Sequence, residues 1–254
     1  MMKMKKEIVQ KLFDLNCEFY QSFGKAFAET RRRIQPGVRR VLAEWISDGA
    51  WLDLGCGSGV LALEWAKRGL RGSYLGLDFS RELLDEANKN LSEAGAHEGL
   101  QIEFRLGNLA DERWADGMGR TELNGVLAFA SMHHIPGREN RLRILRRVHE
   151  LLKAEGTFIH SEWQFQNSPK LMTRVKPWSS IGIDAADLED GDTLLDWRHA
   201  AAGQAEHEGL RYVHLFSEAE LAELAEAAGF EIEEGFASDG SGDRLGLYQR
   251  WRKR

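Results

Sequence analysis

The stretch Trp51-Leu52-Asp53-Leu54-Gly55-Cys56-Gly57-Ser58-Gly59-Val60 decides the reading of the chain. Apolar residues run up to Leu54, three glycines alternate with small residues, and Val60–Arg68 then carries a helical pattern. Strand, bend and helix follow one another within a few residues. Glycines at the bend let the backbone turn sharply and meet a ligand where any Cβ would collide. The helix behind the bend offers free N–H groups and the positive end of its dipole. About 20 residues on, Asp78 closes the apolar run Tyr74–Asp78, where a carboxylate can accept the hydroxyl protons of a ribose.

Outward from this point the alternation continues. Ala50–Gly55 and Tyr74–Asp78 read as strands, and Ser80 caps a helix bearing Leu84, Ala87 and Leu91. Gln101–Leu106 and Leu123–Phe129 read as strands. Leu142, Leu145, Val148 and Leu152 mark a helix ending at Lys153 and Gly156, and Thr157–Trp163 is a further strand. This order predicts an α/β fold, doubly wound, with a mostly parallel sheet covered on both faces. Before Gly49, the spacing of Ile8, Leu12, Leu15 and Phe19 predicts a helix, with Pro36-Gly37 as a break. From Gln164 to Leu210 the pattern lapses, with acidic turns around Asp187–Asp192, and a stretch of that length implies a lid or hidden elements. Ser217-Glu218-Ala219-Glu220 is a capping box, its helix stops at Gly229, and Phe230–Phe236 and Arg244–Trp251 form an antiparallel pair around Asp239–Gly242. One domain over 1–254 is expected: a helical cap (1–48), a cofactor-binding core (49–163), a lid and acceptor insertion (164–215), and a closing helix and strand pair (216–254).

The bulk composition narrows the function classes. The chain has 254 residues, a formal net charge of −6 and 43% hydrophobic residues, enough for a substantial core and no general case for nucleic acid. Cys17 and Cys56 form no C-x-x-C pair, so neither a zinc site nor a disulfide framework is expected. The basic opening Met1–Lys6 is followed by no apolar signal segment, and no run of about 20 apolar residues is present. The expectation is a cytoplasmic protein with no membrane partner.

Two ligand classes compete for the bend. A dinucleotide fingerprint requires G-x-G-x-x-G, whereas here the glycines run G-x-G-x-G and Val60 follows. Asp53 also stands just ahead of the bend, where it would repel a pyrophosphate but suit a ligand carrying an ammonium and a sulfonium. That favours S-adenosylmethionine as the cofactor.

Asp53–Gly59, Asp78, Gly107-Asn108-Leu109 after the third strand and Leu127–Ile135 after the fourth together resemble the ordered motifs of class I S-adenosylmethionine-dependent methyltransferases. The resemblance implies a seven-stranded sheet whose last strand is antiparallel. It implies a cofactor site made by Asp53, Gly55, Cys56, Gly57, Gly59, Asp78, Phe79, Asn108, Leu109 and Phe129. Gly55 and Gly57 would bound the methionine part, Asp78 the ribose, and Asn108 and Leu109 the adenine edge. Asn108 departs from the commoner aspartate, and Phe79 would either stack on the adenine or pack in the core.

For the acceptor, His134 in Ser131–Ile135 follows the fourth strand and is a candidate base or orienting group. Adjacent His133 and His134 point apart in an extended chain, so no two-histidine metal site is expected. Phe27–Arg31 and Arg211–Phe216, taken with His133-His134, resemble the tRNA wobble-uridine methyltransferases that esterify a carboxymethyl group. That likeness implies Arg31 and Arg211 on the carboxylate, Tyr212 and His214 shaping the pocket, tRNA as a partner and, in some members, a small activator subunit. Arg31–Arg33, the five arginines of Arg138–Arg147 and the tail Arg250–Arg254 would serve phosphate contacts if they share a face. The rival readings are a methyltransferase for a small metabolite and a cofactor-binding partner protein without activity.

Overall fold

In a computed structural model the described residues are 4–29, 33–95, 98–118, 122–199 and 207–254. The elements run α1 (Lys6–Glu29), α2 (Pro36–Glu44), β1 (Gly49–Leu54), α3 (Val60–Lys67), β2 (Gly72–Asp78), α4 (Arg81–Ala94), β3 (Leu100–Leu106) and β4 (Leu123–Phe129). Then come α5 (Arg138–Leu151), β5 (Leu152–Trp163), α6 (Pro169–Met172), β6 (Val175–Lys176), β7 (Asp192–His199), β8 (His207–His214), α7 (Glu218–Ala228), β9 (Phe230–Ser238) and β10 (Gly246–Lys253).

Seven strands form one sheet in the order β3-β2-β1-β4-β5-β10-β9, with β10 antiparallel to both neighbours and the pairs from β3 to β5 parallel. The expected doubly wound sheet is therefore present. Side chains alternate across it. Leu52, Val126, Ala128 and Phe158 face a core completed by Ile144, Leu145 and Val148 of α5 and Leu221 and Leu224 of α7. Trp51, Leu127 and Ile159 face the opposite core, closed by Val41 and Leu42 of α2 and Leu61 and Trp65 of α3. Strands buried on both faces explain why β1 and β4 read as nearly continuous apolar runs. β1 and β4 run parallel, but strands are added outward from them in opposite directions, so a crevice opens beyond their C-terminal ends.

The structure revises several expectations at the sequence level. Pro36 does not merely break the chain: it occupies the first turn of α2, where its missing N–H costs nothing. α5 passes straight into β5 at Leu152, and Gly156 lies within the strand. The lapse at 164–210 conceals a second, three-stranded antiparallel sheet, β6-β7-β8, over which α1 lies. Periodicity was hidden there because β6 is two residues long and short 3₁₀ turns at Trp178–Ile181 and Ala185–Asp187 interrupt it. The apolar stripe of α1 covers this small sheet, with Leu12 packed against Ile183 and Tyr212. Asn16 fixes the contact: its Oδ1 accepts the N–H of Tyr212 at 2.8 Å and its Nδ2 donates to the Tyr212 carbonyl at 3.2 Å.

A buried ionic cluster joins the two sheets. Arg141 of α5, with no exposed surface, donates to Glu189 at 2.5 Å and to Glu220 of α7 at 3.1 Å. His214 of β8 bridges Asp192 at 2.7 Å and Glu220 at 2.9 Å, and the Tyr212 hydroxyl donates to Asp192 at 2.7 Å. Burial opposes a charge on His214, but the two carboxylates outweigh it and hold its pKa above the usual imidazole range. Ser217 caps α7 through the Glu220 N–H as expected, while the Glu220 carboxylate is drawn into this cluster. Removing one partner of a buried ion cluster strands the others. Arg141→Met is therefore expected to cost about 3–5 kcal/mol in thermal unfolding, whereas Lys89→Ala, at an exposed helix pair, should change stability by less than about 0.5 kcal/mol.

Candidate functional site

The bend after β1 is fixed by three backbone contacts. The N–H groups of Gly55 and Cys56 donate to the Leu77 carbonyl at 2.8 and 2.9 Å, and that of Gly57 donates to the Asp78 carboxylate at 2.9 Å. Gly55 (φ 81°) leaves room for Ser131, whose Oγ would lie 2.4 Å from an added Cβ. Gly57 (φ 54°) is different: an added Cβ there would enter open space. It presents bare backbone to a cavity of about 630 Å³, within the range of small-molecule sites.

Asp78 stands beside this backbone, almost fully buried. One of its oxygens accepts the Gly57 N–H and the other the Ser80 N–H at 2.9 Å, and a carboxylate retains further acceptor capacity for ligand hydroxyls. Burial raises its pKa, and the N–H bonds from Ser80 and Gly57 partly restore its charge. Asp53 is 3% exposed and accepts a short hydrogen bond from Tyr74. Burial, opposed by Tyr74 and assisted by Asp78, pushes the Asp53 carboxyl up to about 7. Cys56 lines the same cavity, but burial drives its thiol pKa far up, so it offers packing and no thiolate.

Asn108, Leu109, Phe79 and Phe129 all face the cavity, as expected for a cofactor site. The Asn108 side-chain Oδ1 accepts the Ala110 N–H at 2.9 Å, so its Nδ2 is not used in that bond. Phe79 is half-buried and meets Tyr20 edge-on at 5.8 Å, so it belongs to the cavity wall and not to the sheet core. Gly59 is a correction. It does not line the cavity; a Cβ there would strike Phe104 at 2.7 Å and Ala87 at 2.9 Å, so its role is close packing of the bend against β3 and α4. An open backbone cradle, a buried carboxylate with spare acceptors and an amide edge fit a nucleoside-bearing ligand with a cationic amino-acid tail.

The same cavity is also lined by Tyr20, His134, Trp163 and Arg211. His133 and His134 lie in a 3₁₀ turn, so they do not point apart as in an extended chain; their rings are 4.5 Å apart. His134 Nδ1 contacts the Tyr212 carbonyl at 3.1 Å and its Nε2 contacts the Tyr20 hydroxyl at 2.8 Å. The Arg211 guanidinium, 4% exposed, sits 4.8 Å from the Trp163 ring centroid and 5.5 Å from that of Phe19. Tyr212 and His214 do not reach the cavity. Along β8 their side chains turn into the ionic cluster with Asp192 and Glu220, opposite in pleat to Arg211. Thr30 and Arg31 lie outside the described residues, while Arg33 reaches the rim.

Other lining residues carried a weaker sequence signal. Phe13, Asn16, Cys17 and Tyr20 line the cavity at helical spacing, a second face of α1 beside its apolar stripe. Polar Asn16 and Tyr20 within an otherwise apolar sector were the available clue. Glu162 is buried between His133 (3.2 Å) and His160 (2.9 Å), and burial raises its pKa far above the carboxylate range while holding His160 down to about 3. Glu189, Asp192 and His214 offer donor atoms close enough for a cation, but Arg141, Tyr212 and Glu220 already engage them.

Several arginines of the basic runs are engaged within the chain. Arg141 is in the buried cluster, Arg143 donates to the carbonyls of Leu109 and Asp111, and Arg147 pairs with Glu150. In the tail, Arg250 pairs with Glu233 and Glu234, and Arg252 with Glu155, Glu231 and Glu233.

Comparisons with known proteins agree with this geometry. A family model described as a methyltransferase domain matches residues 26–234. An uncharacterised protein of Haemophilus influenzae is 31% identical over 111 residues, 44% of this chain and 41% of that protein. A probable tRNA methyltransferase 9B of Homo sapiens is 20% identical over 73% of this chain. The chain thus spans 41% and 33% of the length of these two relatives. A crystal structure of an S-adenosylmethionine-dependent methyltransferase from Methanosarcina mazei shares the fold, with a TM-score of 0.61, 22% identity, and coverage of 87% of this chain and 98% of that one. No helix among the described residues is long and apolar enough to cross a membrane. Gly57→Ala places a methyl in the open cradle without a protein clash. It is expected to weaken S-adenosylmethionine binding in calorimetry by more than tenfold, roughly 1.4 kcal/mol, while thermal unfolding shows a folded protein.

Proposed function

The chain belongs to the methyltransferase-domain family, and on that premise we propose that it transfers the methyl group of S-adenosylmethionine to a small acceptor bearing an anionic group. The observation that carries this reading is that one cavity is lined both by the glycine cradle and by buried Arg211. The cofactor supplies a methyl group on a positively charged sulfur, and transfer is an in-line displacement that depends on positioning and electrostatics. On this reading Gly55 and Gly57 bear the amino-acid tail, Asp53 faces its ammonium, and Asp78 accepts the ribose hydroxyls. Asn108, Leu109 and Phe79 border the adenine, Phe129 closes the wall, and Arg211 on its aromatic platform holds the acceptor anion. Tyr212 and His214 act at one remove, by holding β8.

A small acceptor is favoured by the state of the surface arginines. Arg141 and Arg143 of α5 and Arg250 and Arg252 of β10 are engaged by carboxylates or carbonyls of the chain itself, which leaves them less available to the phosphates of an RNA ligand. The second reading, methyl esterification of a carboxymethyl group on tRNA wobble uridine, draws on the segment Arg211–His214 and on the tRNA methyltransferase 9B relative. On that reading a small activator subunit would be a further partner. Incubation with labelled cofactor separates the two. Label on carboxymethyl-bearing tRNA and on no small acid favours the second reading; label on small acids alone favours the first.

Two outcomes follow from the residues. Arg211→Gln should leave cofactor affinity within about twofold and lower transfer on the order of 100-fold, so a large cofactor defect contradicts its assignment. Asp53 gives a pH dependence. With its carboxyl at about 7 in the free protein, a cationic ligand must displace a proton at lower pH. Cofactor affinity is therefore expected to be full above pH 7 and to fall by about tenfold for each unit below it, and Asp53→Asn should flatten that profile.

A further inference from the structure

We propose that the group methylated is a hydroxyl, on an aromatic acid, and that Tyr20 and His134 together take up its proton. This rests on the methyltransferase reading and adds the acceptor atom. A carboxylate acceptor releases no proton on methylation and needs no base, whereas a hydroxyl does. The cavity holds a base already oriented for that task. The Tyr212 carbonyl can only accept, so His134 Nδ1 carries its hydrogen at 3.1 Å, and the neutral imidazole has its lone pair on Nε2. That lone pair receives the Tyr20 hydroxyl at 2.8 Å. Tyr20 and His134 both line the cavity, and Tyr20 is itself edge-on to Phe79, one of the candidate cofactor residues.

The anchor of His134 is the carbonyl of the residue next to Arg211, so base and cation share one wall. Phe13 and Trp163 add flat apolar surface to the same cavity lining. An acceptor that satisfies all three features carries an aromatic ring, an acid group for Arg211 and a hydroxyl for Tyr20. In the transfer, the acceptor oxygen forms its bond to the methyl carbon as the sulfur–carbon bond breaks, with both electrons of that bond returning to sulfur. The acceptor proton passes to the Tyr20 oxygen while the Tyr20 proton passes to His134 Nε2, which leaves an imidazolium still donating from Nδ1 to Tyr212. The proton is later lost to solvent. Asn16 is a positioning residue in this scheme, since its Nδ2 donates to the carbonyls of His134 (3.3 Å) and Tyr212 (3.2 Å) and so seats α1 against the turn that carries the base.

The test uses 4-hydroxy-3-nitrobenzoate, an aromatic acid whose phenolate is coloured, bound to the full chain saturated with S-adenosylhomocysteine so that no turnover occurs. The bound phenol is expected to ionise at a proton concentration at least tenfold higher than the free probe. His134→Gln and Tyr20→Phe should each reverse about tenfold of that shift while still binding the probe and S-adenosylhomocysteine. A full shift retained in either variant, or no probe binding to the loaded wild-type protein, overturns the proposal. Failure of S-adenosylhomocysteine to bind the wild-type protein would instead overturn the methyltransferase reading beneath it. Binding of that compound by both variants reports that they are folded.

Discussion

The arrangement depends on one carboxylate between two backbone N–H groups. Asp78 at the end of β2 accepts from Gly57 in the bend after β1 and from Ser80 at the start of α4. Through those bonds the bend cannot collapse into the space beside it, and the ends of two neighbouring strands become one surface. A buried carboxylate is stable only when its acceptors are used, so the same bonds that shape the cradle also hold the charge that a ribose would meet. Gly55 and Gly57 then serve opposite purposes: the first admits Ser131, the second keeps the cradle open.

The other half of the cavity is built by a different device. A three-stranded sheet has little core of its own, and here it is fastened to the larger sheet by the Arg141 cluster and to α1 by Asn16. Both fastenings end on β8. Residues of β8 with alternate pleat divide the labour, Arg211 toward the cavity and Tyr212 and His214 toward the cluster. On the proposed reading this half holds the acceptor, and its fastening matters because displacement tolerates little misalignment.

The core fold and the cofactor end were legible in the sequence for a local reason. A strand, a glycine bend and a helix N-terminus are contiguous, so Asp53, Gly55, Gly57 and Asp78 announce themselves by spacing. The acceptor end is assembled from α1, the turn after β4, β5 and β8, and no local pattern records which side chains of four distant segments converge. For Arg211 the sequence signal is a family likeness alone, and that likeness does not separate it from Tyr212 and His214, whose side chains turn to Asp192. Gly59 was misread because a glycine needed for close packing looks, in sequence, like one needed for a ligand. The small sheet is hard to read from the sequence because β6 is only two residues long and 3₁₀ turns separate it from β7. Tyr20 and Asn16 were hidden among the apolar positions of α1, whose stripe covers the small sheet on one side and the cavity on the other.

Calorimetric titration of S-adenosylmethionine into the wild-type protein and into Asp78→Ala tests the central claim most directly. Loss of the carboxylate removes both the ribose acceptor and the bond that holds Gly57, so affinity should fall by at least 100-fold, roughly 2.7 kcal/mol, in a protein that still unfolds cooperatively. Equal affinity in the two proteins would contradict the account.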